Sequence, residues 1–169
     1  FRTFDFLLLR LFSFSKPVIA AVNGHSIGGG LLIQFCSDRA FIADNCKIKI
    51  GLPELTLGLS IDELMQHLLH YKIGNNTIIS HLLYTAEYLD PNKSYKFGLA
   101  DGVISQENLL DHSISSIQKL VNFNGNAFAL TKQTIRRKYI ANMKSSINKK
   151  CYSIFNTLIN QKLQNNKIS

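Results

Sequence analysis

The sequence predicts an α/β domain that ends in an all-helical region, and two observations carry this prediction. Over residues 1–105, short apolar runs rich in β-branched residues alternate with segments of helical periodicity. From residue 106 to 169 only helical patterns follow. Alternating strands and helices are typical of a sheet covered by helices. We therefore divide the chain into a core (1–105) and a C-terminal helical region (106–169).

The elements of the core follow from local patterns along the chain. Residues 1–14 have an amphipathic helical pattern that stops at the turn Ser15-Lys16-Pro17. The run "PVIAAVN" (17–23) then predicts a buried strand that leads into a tight turn. The next predicted elements are a buried helix over 28–36, strands at 39–44 and 47–51, and a loop over 51–58.

The rest of the chain is predicted to be mostly helical. Ser60 is followed three residues later by Glu63, a capping box that predicts a helix beginning at Ser60. Gly74 ends this helix and another follows over 75–85. The remaining elements are a short helix and a brief strand within 90–105, and helices over 107–122, 127–141 and 145–163. In the last helix one face is expected to be apolar, formed by Ile147, Cys151, Ile154, Leu158 and Leu163.

The composition excludes several classes of protein. No apolar stretch reaches the roughly 18 residues that span a membrane. Asp5 and Arg10 interrupt the apolar start, which argues against a signal peptide. The cysteines at 36, 46 and 151 are isolated and show no metal or redox spacing, which suits a reducing compartment. We expect no metal, no membrane partner and a cytoplasmic location, or an organelle matrix if a targeting segment precedes residue 1.

The net charge of +8 is unevenly placed, because no acidic side chain follows Asp111. Two interpretations fit: solvated basic helix faces, or a surface that attracts the phosphates of a nucleotide cofactor or nucleic acid. The helices carry few interleaved aromatic residues beyond Phe128, Tyr139, Tyr152 and Phe155. Without a stacking platform, RNA is not an expected partner.

The stretch "VNGHSIGGGLL" (22–32) places three glycines at the expected start of a helix. The first N–H groups of a helix have no partner within it and lie at the positive end of its dipole. Glycine lets a phosphate or a developing oxyanion approach these groups closely, although close packing of helix on sheet is an alternative reason. The spacing matches neither a Walker phosphate loop nor the dinucleotide fingerprint.

Three segments, "KPVIAAVNGHSIGGGLL", "SDRAFIADNCKIKIGLPELTLG" and "GLADGVIS", resemble the enoyl-CoA hydratase/isomerase (crotonase) superfamily, most densely over 16–59. The resemblance implies a spiral of ββα units with C-terminal helices that drive trimerisation. It also implies an acyl-CoA thioester as substrate, no cofactor, and a homotrimer or dimer of trimers. The Ala-Gly-rich segment that precedes this pattern in the family does not occur before Lys16, so we expect a partial, N-terminally truncated spiral core.

The resemblance also implies a site. The N–H of Gly29 is expected to polarise the thioester carbonyl and stabilise an enolate. Gly28, Gly30 and His25 are expected to line the same thioester site. The loop "GLPELTLG" matches the family segment that carries a catalytic glutamate, which falls on Glu54.

One residue departs from the hydratase pattern. Hydratases of the family carry a further glutamate two residues after the glycines, where this chain has Leu32. With Glu54 retained and the other glutamate missing, the sequence resembles the isomerase branch of the family, in which a single carboxylate moves a proton between two carbons. Some isomerases place the acid at a position matching Asp62, so Asp62 and the adjacent Glu63 are second-rank candidates. A hydratase-like enzyme and an inactive homologue that serves as a binding or scaffold module remain alternatives.

Overall fold

Five short strands of the computed structural model form two small parallel sheets surrounded by helices. The structure describes the backbone of residues 2–165 and the side chains of residues 3–150. The elements are, in chain order, α1 (Arg2–Phe12), β1 (Ile19–Val22), β2 (Ser26–Ile27), α2 (Gly29–Cys36), β3 (Arg39–Ala43), β4 (Ile50–Gly51), a 3-10 turn (Glu54–Leu57), α3 (Glu63–Lys72), α4 (Asn76–Thr85), α5 (Pro91–Lys96), β5 (Gly102–Ile104), a second 3-10 turn (Gln106–Asn108), α6 (Leu109–Val121) and α7 (Gly125–Asn165).

The chain advances as a spiral, because successive strands enter the two sheets alternately: β1, β3 and β5 enter one sheet, and β2 and β4 enter the other. Strands β1, β3 and β5 form one parallel sheet, in which Ala20 lies opposite Ala40 and Phe41 opposite Gly102. Strands β2 and β4 form the other, with Ser26 opposite Ile50. The predicted α/β class and the ββα core are thereby confirmed.

The first hydrophobic core lies between the three-stranded sheet and the helices that cover it. Strand β3 is the middle strand and is buried except at Arg39, as expected for an interior parallel strand. The main side chains that complete this core are Leu31 and Phe35 of α2, Ile79 and Leu82 of α4, and Leu109 of α6.

A second core joins helices from both ends of the chain. The buried side chains of this cluster, here called the helix cluster, are Leu8 and Phe12 of α1, Leu32 and Cys36 of α2, Leu64 and Leu68 of α3, and Met143 and Ile147 of α7. The prediction of separate helices over 127–141 and 145–163 is wrong, because α7 continues through Met143, which packs here with no exposed surface.

Helix α7 matches the expected C-terminal helical region, and only helical elements follow β5 in the described chain. Of the predicted apolar face of the last helix, Ile147 is buried in the helix cluster. The other members of that face, Cys151, Ile154, Leu158 and Leu163, lie outside the described side chains. None of the helices that the structure describes is long and apolar enough to cross a membrane.

A buried arginine fixes α7 to the start of the chain. Arg136 is 1% exposed, and its guanidinium lies over the ring of Phe12. A guanidinium has five N–H donors, and each donates a hydrogen bond here. The acceptors are the hydroxyl of Tyr71 (3.1 Å), the carbonyls of Phe12 (2.7 Å), Cys36 (3.0 Å) and Ser37 (3.1 Å), and the carboxylate of Asp38 (2.8 Å).

Three local predictions need correction. The N-cap of α3 is Asp62, not Ser60, because the Asp62 carboxylate accepts a hydrogen bond from the Met65 N–H at 2.9 Å. The expected strand over 47–51 is reduced to Ile50–Gly51, and the expected loop over 51–58 contains a 3-10 turn. Strand β2 was not predicted, since two residues are too few to show an alternating pattern.

Candidate active site

The site is built on the tight passage from β2 into α2. Gly28 has φ +54° and ψ −120°, a positive-φ conformation that glycine adopts without steric cost and that residues with a Cβ rarely adopt. Its N–H donates to the Gly51 carbonyl at 2.9 Å, which ties this turn to the end of β4. A Cβ on Gly28 would lie 3.1 Å from Oε1 of Glu54. Gly28 therefore lets the backbone take this path and lets a carboxylate lie against it.

Glu54 is buried at the start of the 3-10 turn, three residues after Gly51. Its side chain is 7% exposed, and Oε2 has no hydrogen-bond partner among the described residues. Loss of solvation on burial raises the pKa of Glu54 above its ordinary value. A buried carboxyl with a free oxygen and a raised pKa is suited to accept and return a proton.

Gly29 and Gly30 continue the turn into α2. Gly29 is the first helical residue, and no hydrogen bond among the described residues uses its N–H. A Cβ on Gly29 would lie 3.1 Å from Cζ of Phe4, in α1. A Cβ on Gly30 would meet no heavy atom within 4 Å. The three glycines thus face a carboxylate, an aromatic ring and open space in turn.

The structure brings His25 into a backbone contact near the turn. Its ring is exposed, and Nδ1 accepts a hydrogen bond from the Lys49 N–H at 3.0 Å. This contact lies just before the paired residues Ser26 and Ile50, so His25 supports the pairing of β2 with β4. Its predicted part in thioester binding stays a prediction.

The second-rank acids hold helices together. Asp62 caps α3 and its Oδ2 pairs with Lys150 of α7, which also contacts Asp5 at 2.8 Å. Glu63 accepts hydrogen bonds from Lys149 (3.1 Å) and Ser146 (3.0 Å), and these lower its pKa. Both carboxylates are thus engaged in contacts between helices, whereas Oε2 of Glu54 has no hydrogen-bond partner among the described residues. This difference favours Glu54 over both as the proton-transferring group.

Much of the positive charge of the C-terminal region is used within the chain. Lys132, Arg136, Lys149 and Lys150 each contact a carboxylate. Exposed cations with no such contact among the described residues include Arg137, Lys138 and Lys144. A surface that attracts phosphates would therefore consist of exposed cations such as these three. The basic residues that already pair with carboxylates would contribute less to it.

Leu32 has no exposed surface and packs in the helix cluster. Its position is thus apolar, and its side chain can neither bind water nor move a proton.

We expect Leu32→Ala to lower the free energy of unfolding by about 3 kcal/mol, because it deletes a fully buried side chain. Ile33→Ala, at the adjacent residue with 41% exposure, is the matched control and should change it by about 1 kcal/mol or less. Urea denaturation of both variants measures the difference. Equal losses would contradict the packing role of Leu32.

The contact of Phe4 with Gly29 was not predicted. The apolar spacing of Phe4, Leu8 and Phe12 indicates one face of α1, but a spacing does not say what that face contacts. Within the described residues, no group of three or more His, Cys, Asp or Glu side chains lies close enough to hold a metal ion.

A family model for enoyl-CoA hydratase/isomerase matches residues 2–166. The chain belongs to the enoyl-CoA hydratase/isomerase family. Curated relatives include carnitinyl-CoA dehydratases of Citrobacter koseri, 34% identical, and of Escherichia coli strain K12, 33% identical. Each match covers 76% of this chain and 48% of the relative. The chain thus spans about half the length of the curated relatives it matches.

Solved structures of the family share the fold. A probable enoyl-CoA hydratase of Mycobacterium tuberculosis has a TM-score of 0.83 at 20% identity, covering 96% of this chain and 67% of that one. Human mitochondrial delta3-delta2-enoyl-CoA isomerase has a TM-score of 0.78 at 22% identity, covering 98% and 67%. At these identities the likeness shows the fold alone, and it includes proteins named for both activities.

Proposed function

We propose that this chain carries the thioester-binding and proton-transfer site of an enoyl-CoA isomerase, which moves a carbon–carbon double bond by one position. The observation that carries the proposal is the buried carboxylate of Glu54, which lies against Gly28 with one oxygen unpartnered among the described residues. The substrate would be an acyl-CoA thioester, and the reaction needs no cofactor.

In the proposed reaction, the thioester carbonyl oxygen accepts a hydrogen bond from the Gly29 N–H. Glu54 removes a proton from the α carbon, and the electron pair of that C–H bond moves toward the carbonyl, giving a dienolate. The Gly29 N–H stabilises the negative oxygen, as donors of oxyanion holes do. Glu54, now protonated, returns the proton to the γ carbon, the carbonyl re-forms, and the double bond lies between the α and β carbons.

A hydratase-like reaction is the second candidate, favoured by the names of the curated relatives, which are dehydratases. The environment of Leu32 weighs against it. Addition of water calls for a group that orients the water molecule beside Glu54, and Leu32 is buried among apolar side chains. A single acid in an apolar setting fits transfer of a proton between two carbons better.

The test compares two reactions of the protein on matched thioesters. We expect conversion of a 3-enoyl-CoA to its 2-enoyl isomer to exceed hydration of the same 2-enoyl-CoA by about 100-fold or more, because Glu54 is the one carboxylate that the described residues place against the glycine turn. In deuterated solvent, part of the product should retain the original proton. Faster hydration would favour the second candidate. Thioester binding with neither reaction would favour a binding module.

We further propose that the protein assembles as a homotrimer or dimer of trimers. Exposed apolar side chains on α6, on α7 and in the turn between them support this, since each is at least 60% exposed: Leu110, Val121, Phe123, Leu130 and Ile135. Sedimentation velocity should therefore give a mass of three or six chains. A monomer at all concentrations would contradict the proposal.

A further inference from the structure

The aromatic ring of Phe4 points tip-first at the first residue of α2. From the position that a Cβ on Gly29 would take, Cζ lies at 3.1 Å and the two Cε atoms at 3.6 and 3.7 Å. Phe4 is only partly buried, and its inner side packs against the helix cluster. The ring therefore has one surface in the core and another beside Gly29.

The position of this ring matters because of its neighbours. Oε1 of Glu54 lies 3.1 Å from the Cβ position of Gly28, and Phe4 lies at the same distance from that of Gly29. Gly30 faces open space. A group bound to the Gly29 N–H would therefore have two neighbours: the Glu54 carboxylate beside Gly28 and the edge of the Phe4 ring beside Gly29.

Helix α1 holds the ring in place. Asp5, the residue after Phe4, is 5% exposed and pairs with Lys150 of α7 at 2.8 Å. At the other end of α1, the Phe12 carbonyl accepts a hydrogen bond from Arg136 at 2.7 Å. With both ends of the helix fixed to α7, the ring cannot yield to a ligand by movement of the whole helix.

We infer that Phe4 is a specificity-determining residue that restricts the acyl group next to the thioester carbonyl. This inference rests on the proposed function, in which the carbonyl oxygen lies at the Gly29 N–H. The α carbon is bonded to the carbonyl carbon, so a methyl branch on it would project into the space bounded by Phe4 and Glu54. The site therefore favours thioesters with an unbranched α carbon.

The test measures binding, so it does not depend on turnover. Calorimetry gives the dissociation constants of butanoyl-CoA and 2-methylbutanoyl-CoA for the protein and for Phe4→Ala. The unmodified protein should prefer butanoyl-CoA, and Phe4→Ala should reduce that preference about tenfold or more, the range typical of one methyl group in a pocket. Phe4→Leu should give an intermediate change. Phe6→Ala, on the same helix at 49% exposure, should leave the preference unchanged.

The outcomes separate the inference from the proposed function. If the unmodified protein binds both thioesters and neither Phe4 variant changes the ratio of dissociation constants, Phe4 has only a packing role and the inference is overturned. A fall in both affinities by one common factor has the same meaning. If the unmodified protein binds neither thioester, the proposed function and the inference both fail.

Discussion

Glu54→Gln should lower the rate of double-bond isomerisation by about 10² to 10⁴, or roughly 3 to 5 kcal/mol of barrier, with little change in thioester affinity. Glutamine keeps the size of the side chain but cannot accept a proton from carbon. Single-turnover kinetics with a 3-enoyl-CoA, together with calorimetry of a saturated thioester, separates the loss of rate from any loss of binding.

Two further variants make this result specific. Glu87→Gln removes a carboxylate whose side chain is 40% exposed, and it should leave the rate unchanged. Asp62→Asn tests the second-rank acid, whose structural contacts predict a loss of stability instead of a loss of rate. If Glu54→Gln keeps most of the rate while Asp62→Asn loses it, the proton-transferring group is Asp62.

The raised pKa of Glu54 also affects stability. Burial disfavours the charged form, so the folded protein binds this proton more tightly than the unfolded chain does. The stability that this provides is fully present below the ordinary pKa of 4.5 and is lost as pH rises through the raised pKa. Glu54→Gln should therefore melt at a higher temperature than the unmodified protein at neutral pH, and the difference should shrink on acidification.

The largest expected loss of stability follows from Arg136→Met, which should lower the free energy of unfolding by about 3 to 5 kcal/mol. Methionine fills similar space but removes the side-chain donor of the buried Phe12 and Cys36 carbonyls. The Ser37 carbonyl and the Asp38 carboxylate each lose one donor and keep a lysine partner, Lys72 and Lys132. Arg137→Met, at the exposed neighbouring residue, is the matched control and should change the value by about 0.5 kcal/mol or less. Urea denaturation measures both.

Arg136→Lys gives a second test of the same interaction. A lysine keeps the charge but has three donors on one atom, so it cannot reach all the acceptors arranged around the edge of the planar guanidinium. It should recover only part of the loss. Full recovery by lysine would mean that charge alone, and not the five-donor geometry, fixes α7 to the core.

The sequence predicted the elements that carry the candidate site better than it predicted their contacts. The strand–glycine–helix passage at Gly28 and the loop containing Glu54 have strong local signals, so both could be located in advance. The burial of Glu54 beside Gly28 could not, because it depends on a contact between residues 23 positions apart, the hydrogen bond from the Gly28 N–H to the Gly51 carbonyl at the end of β4.

The errors have a common cause, which is tertiary contact. The start of α3 was placed at Ser60 from a capping pattern, but the Asp62 carboxylate provides the cap, and Lys150 holds it in place. Similarly, α7 passes unbroken through Met143 because this side chain is buried against helices from the first half of the chain. Arg136 has the sequence signature of an ordinary surface cation, and only the folded chain reveals its acceptors.

The same arginine has a consequence for how the chain folds. Its hydrogen bonds join residues 100 and 124 positions apart, so the ends of α1 and α2 keep unpaired carbonyls until α7 has been synthesised. Contacts of such long sequence separation slow folding, and in the nascent chain they form last. We expect pulse-labelling hydrogen exchange to show protection of α7 and of the last turn of α1 in one late kinetic phase. Assembly of the N-terminal helices is thus completed only when α7 joins them.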